Sequence, residues 1–189
     1  MDVSGSARAV VLVMHRRGGT MQIRAACKND IEGIAKVHVD SWQETYKGII
    51  PDQFLESLTY ESREKGWKEL VADPRQDILV VENNEGKIVG FVSGAIQEDK
   101  RPLVGELKAI YLLKKDCGKG IGRQLVRLLF SRLKAKGCET IYVEVLAEND
   151  ACRFYEKLNA KWHATTSIAI AGKLLRLYVY KWEGVDLEI

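Results

Sequence analysis

Residues 112 to 123 of the chain read Leu112-Leu113-Lys114-Lys115-Asp116-Cys117-Gly118-Lys119-Gly120-Ile121-Gly122-Arg123. The segment 103–113 before this loop predicts a strand, and the segment 121–136 after it, with apolar residues at i, i+4 spacing, predicts an amphipathic helix. Glycines allow the loop to turn its N–H groups inward, and the start of the helix adds positive charge. This junction indicates an anion site that suits a pyrophosphate; the structural alternative is a tight turn with solvated lysines.

Two nucleotide-binding motifs fit the loop poorly. A phosphate-binding loop of the G-x-x-x-x-G-K-[ST] type needs Ser or Thr after Gly-Lys, but Gly120 follows Lys119. A dinucleotide fingerprint needs a third glycine where Arg123 or Leu125 stands. Glu144 lies at about the right distance for a ribose-binding acid, but the hairpins on both sides of the loop do not suit a doubly wound sheet. A nucleotide-dependent oxidoreductase is therefore the least favoured of the functions considered for this chain.

The elements around the loop predict one mixed α/β domain. Upstream, segments 78–81 and 87–96 flank a turn at Asn83-Asn84-Glu85-Gly86 and form a hairpin. Earlier still, a strand at 21–25 precedes a helix to residue 42, capped by Asn29 with Glu32. The remaining predictions are helices at 52–58, 60–72 and 151–158, a strand at 140–146, and a hairpin of strands at 161–170 and 173–182. We predict a domain at 21–183, an extension outside the fold at 1–20, and a short tail at 184–189.

Composition excludes several classes of protein. The chain has 189 residues, of which 46% are hydrophobic and 29% charged, with a net charge of +3, so it is an ordinary globular chain without the dense basic stripe of a nucleic-acid binder. No segment is long and apolar enough to span a bilayer, so no membrane partner is expected. The three histidines are scattered and the four cysteines form no C-x-x-C pair, so no metal site is expected. The cysteines are predicted to be free thiols, which is typical of a cytoplasmic protein.

Three segments resemble the GNAT superfamily of N-acetyltransferases. The loop matches the family motif Q/R-x-x-G-x-G/A at 117–122, with Cys117 in place of Arg or Gln. A second family block, N-x-x-A-x-x-F-Y-x-K-x-G-F, is similar to 149–160, which is one residue shorter between Asn and Tyr and has Asn159 in place of Gly. The segment Ser41-Trp42…Tyr46-Lys47-Gly48-Ile49-Ile50-Pro51 looks like the substrate side of a bacterial small-substrate subgroup.

The resemblance implies the GNAT fold, an α/β (α+β) architecture. In that fold a mixed, mostly antiparallel sheet of about seven strands is flanked by helices, with strands 103–113 and 140–146 splayed apart. It also implies acetyl-CoA as cosubstrate and no metal. The residues expected to bind acetyl-CoA are Ile110, Tyr111, Leu112, Cys117, Gly118, Lys119, Gly120, Ile121, Gly122, Arg123, Asn149 and Tyr155. For Asn149 the structural alternative is a helix cap.

The expected reaction is direct transfer of the acetyl group to an amine in a ternary complex. Glu106 is the candidate base, since alternation predicts that it shares a strand face with Lys108, Ile110 and Leu112. Its rivals are Glu98, Asp99 and Glu144. By resemblance, the N–H of Leu112 polarises the thioester and Tyr155 protonates the CoA thiolate. Cys117 is also a candidate for a lowered pKa, because it lies near a helix N-terminus and several lysines.

The acceptor is expected to be a small-molecule amine or a peptide N-terminus, with Trp42 and Tyr46 as pocket walls. The alternative for these aromatic residues is a place in the core. An alternative for the whole chain is a non-catalytic acyl-CoA-binding or regulatory module. Exposed edge strands are consistent with a homodimer.

Overall fold

The computed structural model describes residues 12–16, 19–97, 99 and 102–184. Its strands are β1 (Leu12–Arg16), β2 (Gly19–Ala25), β3 (Gln76–Asn83), β4 (Ile88–Gln97), β5 (Val104–Leu112), β6 (Thr140–Leu146), β7 (Lys161–Ile170) and β8 (Lys173–Glu183). Its helices are α1 (Ile31–Thr45), α2 (Asp52–Glu56), α3 (Tyr60–Ala72), α4 (Ile121–Ala135) and α5 (Ala151–Lys157). Short 3-10 turns at Lys28–Asp30 and Lys114–Asp116 precede α1 and α4.

The described strands form one sheet in the order β1-β2-β3-β4-β5-β6-β8-β7. Every neighbouring pair is antiparallel except β5 and β6, which run parallel. That pair is joined only from Val104↔Thr140 to Leu107↔Val143, and the two strands then separate. The mixed, mostly antiparallel sheet and its splayed strands are confirmed.

The described part of the sheet has eight strands, where about seven were expected, because β1 lies in the segment predicted to be outside the fold. Residues 12–16 pair with 19–23, and the side chains of Leu12 and Met14 pack against the main core. The prediction that residues 1–20 lie outside the fold is therefore wrong for 12–16 and 19–20. Strand pairing and apolar burial hold these residues on the sheet. Residues 1–11, 17–18 and 185–189 lie outside the described residues.

Apolar side chains cover both faces of the sheet. On one face α4 packs six buried side chains, including Leu125, Leu129 and Leu133, against β3 to β5. On the other face α1 and α3 enclose a second cluster that includes Ile34, Trp67 and Phe91. A third cluster joins Tyr46, Ile50 and Leu55 to β6 and β8. None of the described helices has the length and apolar character needed to cross a membrane.

The start of α1 differs from the predicted cap. The carboxylate of Asp30, rather than the side chain of Asn29, accepts the N–H of Cys27 at 2.8 Å. Arg24 also donates to both oxygens of this carboxylate at 2.7 Å. Asp30 is thus the third-position acid of a capping box that begins at Cys27, and its charge is matched by a guanidinium on the adjacent strand. By contrast, Asn159 after α5 has the left-handed conformation expected of it, with φ 63°.

A β-bulge at Lys108 changes which side chains share a face of β5. Ser93 pairs with Ala109 and Gly94 with Leu107, so Lys108 is the extra residue. Leu107, Ile110 and Leu112 consequently pack on the α4 side, while Ala109 and Tyr111 pack on the α1 side. Glu106, which precedes Leu107 by one residue, faces the α1 side. The prediction that Glu106 shares a face with Ile110 and Leu112 is wrong, because the bulge reverses the alternation.

The bulge depends on a close approach at Gly94. A β-carbon there would lie 2.8 Å from the carbonyl oxygen of Glu106 and 3.0 Å from Leu129. We expect Gly94→Ala to lower the free energy of unfolding by about 1–3 kcal/mol, because the backbone oxygen cannot move aside cheaply. Gly66→Ala is the control, since its β-carbon meets nothing within 4 Å. On an exposed helix that change should stabilise by roughly 0.5–1 kcal/mol. Urea denaturation of both variants checks this, and equal stability of the two would contradict it.

Candidate active site

The gap between β5 and β6 exposes backbone hydrogen-bonding groups. The amide of Leu113 donates to the carbonyl of Val89 at 2.9 Å, so at this position β5 turns its N–H toward β4. Alternation along the strand then directs the N–H groups of Ile110 and Leu112 to the opposite edge, where β6 has separated. The fold thus presents a strand edge inside the molecule that an extended ligand can join.

The glycine loop lies at the end of this edge. Gly118 and Gly120 have φ of 72° and 74°, a backbone conformation that side chains rarely adopt. The amide of Gln124 donates to the carbonyl of Gly120, which leaves the preceding N–H groups of α4 without intrahelical partners. Exposed amides and the positive end of α4 together form an anion site.

The basic side chains around the loop differ in their availability. Lys119 donates to the buried carboxylate of Asp116 at 2.7 Å. Lys114, Lys115 and Arg123 are exposed and form no ion pair within the described part of the chain. Ile121 is fully buried, so only its backbone can reach a ligand. Lys114, Lys115 and Arg123 therefore keep the site positively charged, although Lys119 is paired with Asp116.

Cys117 does not have the lowered pKa that was considered for it. Partial burial and the neighbouring carboxylate of Asp116 raise the pKa of its thiol, and these effects exceed the opposing effect of Lys119. Its Sγ lies 3.8 Å and 3.6 Å from the carbonyl oxygens of Leu112 and Leu113. All four cysteines are free, as expected.

Helix α5 closes the gap from the β6 side. A β-carbon on Gly122 would lie 3.3 Å from the ring of Phe154, so α5 packs tightly against the start of α4. The side-chain oxygen of Asn149 accepts the N–H of Ala151 at 2.9 Å, as expected if this residue caps the helix. Asn149 also lines two cavities. Tyr155 is 5% exposed, and burial raises the pKa of its hydroxyl. The hydroxyl therefore keeps its proton at neutral pH.

A cavity of about 270 Å³ brings together the predicted catalytic and acceptor residues. Glu106 and Tyr155 line it together with Trp42 and Tyr46, and Glu144 and Lys108 also contribute. Glu106 accepts a hydrogen bond from Lys108 at 2.6 Å. A neighbouring cavity of about 360 Å³, lined by residues that include Leu112 and Cys117, meets the first at Asn149. Of the rival bases, Glu144 lines the first cavity, Asp99 does not, and Glu98 lies outside the described residues.

Behind this cavity stands a cluster of aromatic side chains that the sequence did not reveal. The hydroxyls of Tyr46 and Tyr111 are 3.1 Å apart, and burial raises the pKa of both. The ring of Tyr111 stacks on His38 at 5.5 Å, and Trp67 donates its indole N–H to Nδ1 of His38 at 3.0 Å. The side chain of Tyr111, a residue expected to contact the cofactor, is directed toward His38 and Tyr46 on the α1 side of the sheet.

The C-terminal hairpin also reaches the cavity, through Ile168 and Ile170 of β7 and Leu177 of β8. No local motif marks these residues, because only sheet order places β8 beside β6. Within the described ranges, no three His, Cys, Asp or Glu side chains are grouped so that they could hold a metal ion.

The sequence profile of the acetyltransferase (GNAT) family matches residues 39–160. The chain belongs to the GNAT family of acetyltransferases. The match spans the loop, both splayed strands and α5, and it confirms the predicted family and enzyme class.

Two relatives are similar to the chain in sequence, and one solved structure is similar to it in fold. It is 35% identical over 165 residues to the uncharacterized N-acetyltransferase YuaI of Bacillus subtilis, covering 87% of this chain and 94% of that protein. It is 30% identical over 122 residues to a spermidine N(1)-acetyltransferase of Thermoplasma acidophilum, covering 62% of this chain and 73% of that protein. The fold matches PaiA N-acetyltransferase of Thermoplasma acidophilum, solved with coenzyme A, with a TM-score of 0.67 and 20% identity over 86% of this chain and 98% of that chain.

The environment of His38 predicts a specific acid sensitivity. Burial and the charge of Arg63 lower the pKa of His38 to about 4, from 6.5. As the pH falls from 6.5 toward 4, the unfolded chain takes up the proton first, so stability should decrease by up to about 1.4 kcal/mol per pH unit. His38→Gln, which keeps an acceptor for Trp67, should flatten this dependence.

Denaturation of wild type and variant from pH 4 to 7.5 measures the effect. His163→Gln is the control, because His163 is exposed on β7. Parallel pH profiles for wild type and His38→Gln would show that His38 does not titrate in this way.

Proposed function

We propose that the protein transfers an acetyl group from acetyl-CoA to a primary amine by direct attack in a ternary complex. The observation that carries this proposal is the cavity that Glu106 and Tyr155 both line, beside the unpaired edge of β5. Family membership supports the reaction type, and the contacts of this chain support the roles proposed for its residues.

Acetyl-CoA fits the gap and the loop by its chemical groups. In this proposal Ile110 and Leu112 hold the amide-bearing pantetheine arm through their backbone, as a neighbouring strand would. The pyrophosphate lies on the backbone of Gly118, Gly120 and Gly122, near Arg123. Cys117, Lys119 and Ile121 contribute main-chain contacts, because Lys119 is paired with Asp116 and Ile121 is buried.

Glu106 prepares the amine for attack. A lysine-like amine is protonated at neutral pH, so it must lose a proton before its lone pair can reach the thioester carbon. The carboxylate of Glu106 lies in the acceptor cavity with 21% of its side chain exposed, so it can accept that proton directly or through water. Trp42 and Tyr46 form the walls that position the amine.

Leu112 and Tyr155 act on the other two charges that develop. The N–H of Leu112 stabilises the carbonyl oxygen as the tetrahedral intermediate forms. When the C–S bond breaks, the thiolate leaves with the electron pair, and Tyr155 donates its proton to the sulfur. Burial raises the pKa of this phenol, so its proton is in place when the thiolate forms, and a thiolate in the same buried site is a stronger base than one in water.

The same cavity supports the proposed acceptor class. A small-molecule amine or a peptide N-terminus can enter beside Trp42 and Tyr46. The spermidine N(1)-acetyltransferase relative supports a primary amine as acceptor.

Release of CoA thiol from acetyl-CoA, measured against amines, amino acids, polyamines and N-terminal peptides, tests the proposed function. We expect release that depends on an acceptor, above a control without one. Tight binding of acetyl-CoA with no release across the panel would favour a non-catalytic acyl-CoA-binding module. No binding of acetyl-CoA would contradict the assignment of the loop.

Replacement of the phenol tests the role of Tyr155. Tyr155→Phe should lower kcat at least about tenfold, because general acid catalysis is worth roughly 10²–10⁴-fold. Affinity for acetyl-CoA should stay within about threefold, since the ring still packs against Phe154 and Trp182. Tyr178→Phe on β8, a half-buried tyrosine that lines neither cavity, is the control. Full activity of Tyr155→Phe would remove the role.

A further inference from the structure

Glu144 occupies a position in the acceptor cavity that the proposed reaction does not use. Its neighbours Val143 and Val145 pack into the core on the α4 side, whereas Leu146 packs with Tyr46 on the other side. Alternation therefore directs Glu144 to the same side of the sheet as Glu106, and both line the cavity. The two carboxylates come from the two strands that splay apart.

The charges of the cavity wall are unbalanced. The charged side chains that line it are Glu106, Lys108 and Glu144, and the ammonium of Lys108 is already bonded to Glu106 at 2.6 Å. Glu144 is exposed and has no hydrogen bond or ion pair with any residue in the described ranges. Among the residues that the structure describes, the wall thus carries one carboxylate whose charge no neighbouring side chain offsets.

Strand geometry sets the distance between the two acids. Glu106 pairs in register with Tyr142, so Glu144 lies two residues further along the next strand. At about 3.3 Å per residue and about 4.8 Å between strands, their Cα atoms are roughly 8 Å apart, and the splay widens this distance. The intervening wall is apolar or aromatic, with Trp42, Ile168 and Ile170 among its residues.

We propose that the acceptor carries a second positive charge and that Glu144 binds it, so that the substrate class is an aliphatic diamine or polyamine. The reactive amine lies at Glu106, the methylene chain packs on the apolar wall, and the distal ammonium pairs with Glu144. A free amino acid fits less well, because its carboxylate would face an acidic wall whose cation is already paired. This inference rests on the proposed function and specifies its substrate class.

The test compares diamines with monoamines of equal length. For 1,3-diaminopropane, 1,4-diaminobutane and 1,5-diaminopentane, kcat/KM is measured against the matching n-alkylamine, in wild type and in Glu144→Gln. We expect wild type to prefer the diamines by about two- to fivefold, the size of an exposed ion pair, and Glu144→Gln to lose most of that preference. Glu139→Gln, an exposed acid before the same strand that lines neither cavity, should keep it.

The ratio of kcat/KM for a diamine to kcat/KM for the matching monoamine separates recognition of the distal ammonium from catalysis. An equal loss of activity toward both kinds of amine in Glu144→Gln would make Glu144 part of the common reaction and overturn the inference. An unchanged ratio would overturn it as well, while the proposed function would stand.

If wild type acetylates no amine, the proposed function fails. Binding of a diamine near Glu144 can then still be tested by calorimetry. Titration of 1,4-diaminobutane into the protein saturated with CoA should show binding that Glu144→Gln weakens by about two- to fivefold. Equal binding to wild type and variant, or binding to neither, would overturn it.

Discussion

The parting of β5 and β6 is the constraint on which the site depends. Each strand keeps a complete antiparallel partner on its outer edge, β4 for β5 and β8 for β6, so neither loses the sheet when the shared pairing ends at Leu107↔Val143. The separation leaves inward-facing N–H groups without strand partners, which is costly unless water or a ligand satisfies them. The gap therefore has the chemistry of a binding site before any side chain is considered.

Side chains then give the two sides of the gap different chemistry. On the α4 side, the left-handed glycines and the helix start collect positive charge for an anion. On the α1 side, carboxylates and tyrosines surround a small cavity, and burial raises the pKa of the hydroxyls of Tyr46, Tyr111 and Tyr155. Phenols that stay protonated beside carboxylates suit a reaction in which one proton leaves an amine and another reaches a thiolate.

Several elements were predictable because their signals are local. The bounds of α3, β6 and β7 match the sequence prediction residue for residue, since a proline, a glycine or a turn limits each of them. The glycine loop was recognisable from its spacing, and the tyrosine of α5 from its resemblance to a family motif; both border the gap. The strand β1 was missed because its five residues become a strand only when β2 pairs with them.

The amino-acid sequence by itself determined the family and the order of helices and strands from β2 onward, because these depend on local spacing, composition and short motifs. The tertiary structure decided which residues meet. The bulge at Lys108 turned Glu106 toward α1, the pairing of β8 with β6 brought the C-terminal hairpin to the cavity, and the ion pair with Asp116 engaged Lys119. Each of these depends on partners distant in the chain or on backbone geometry, which periodicity along one segment does not encode.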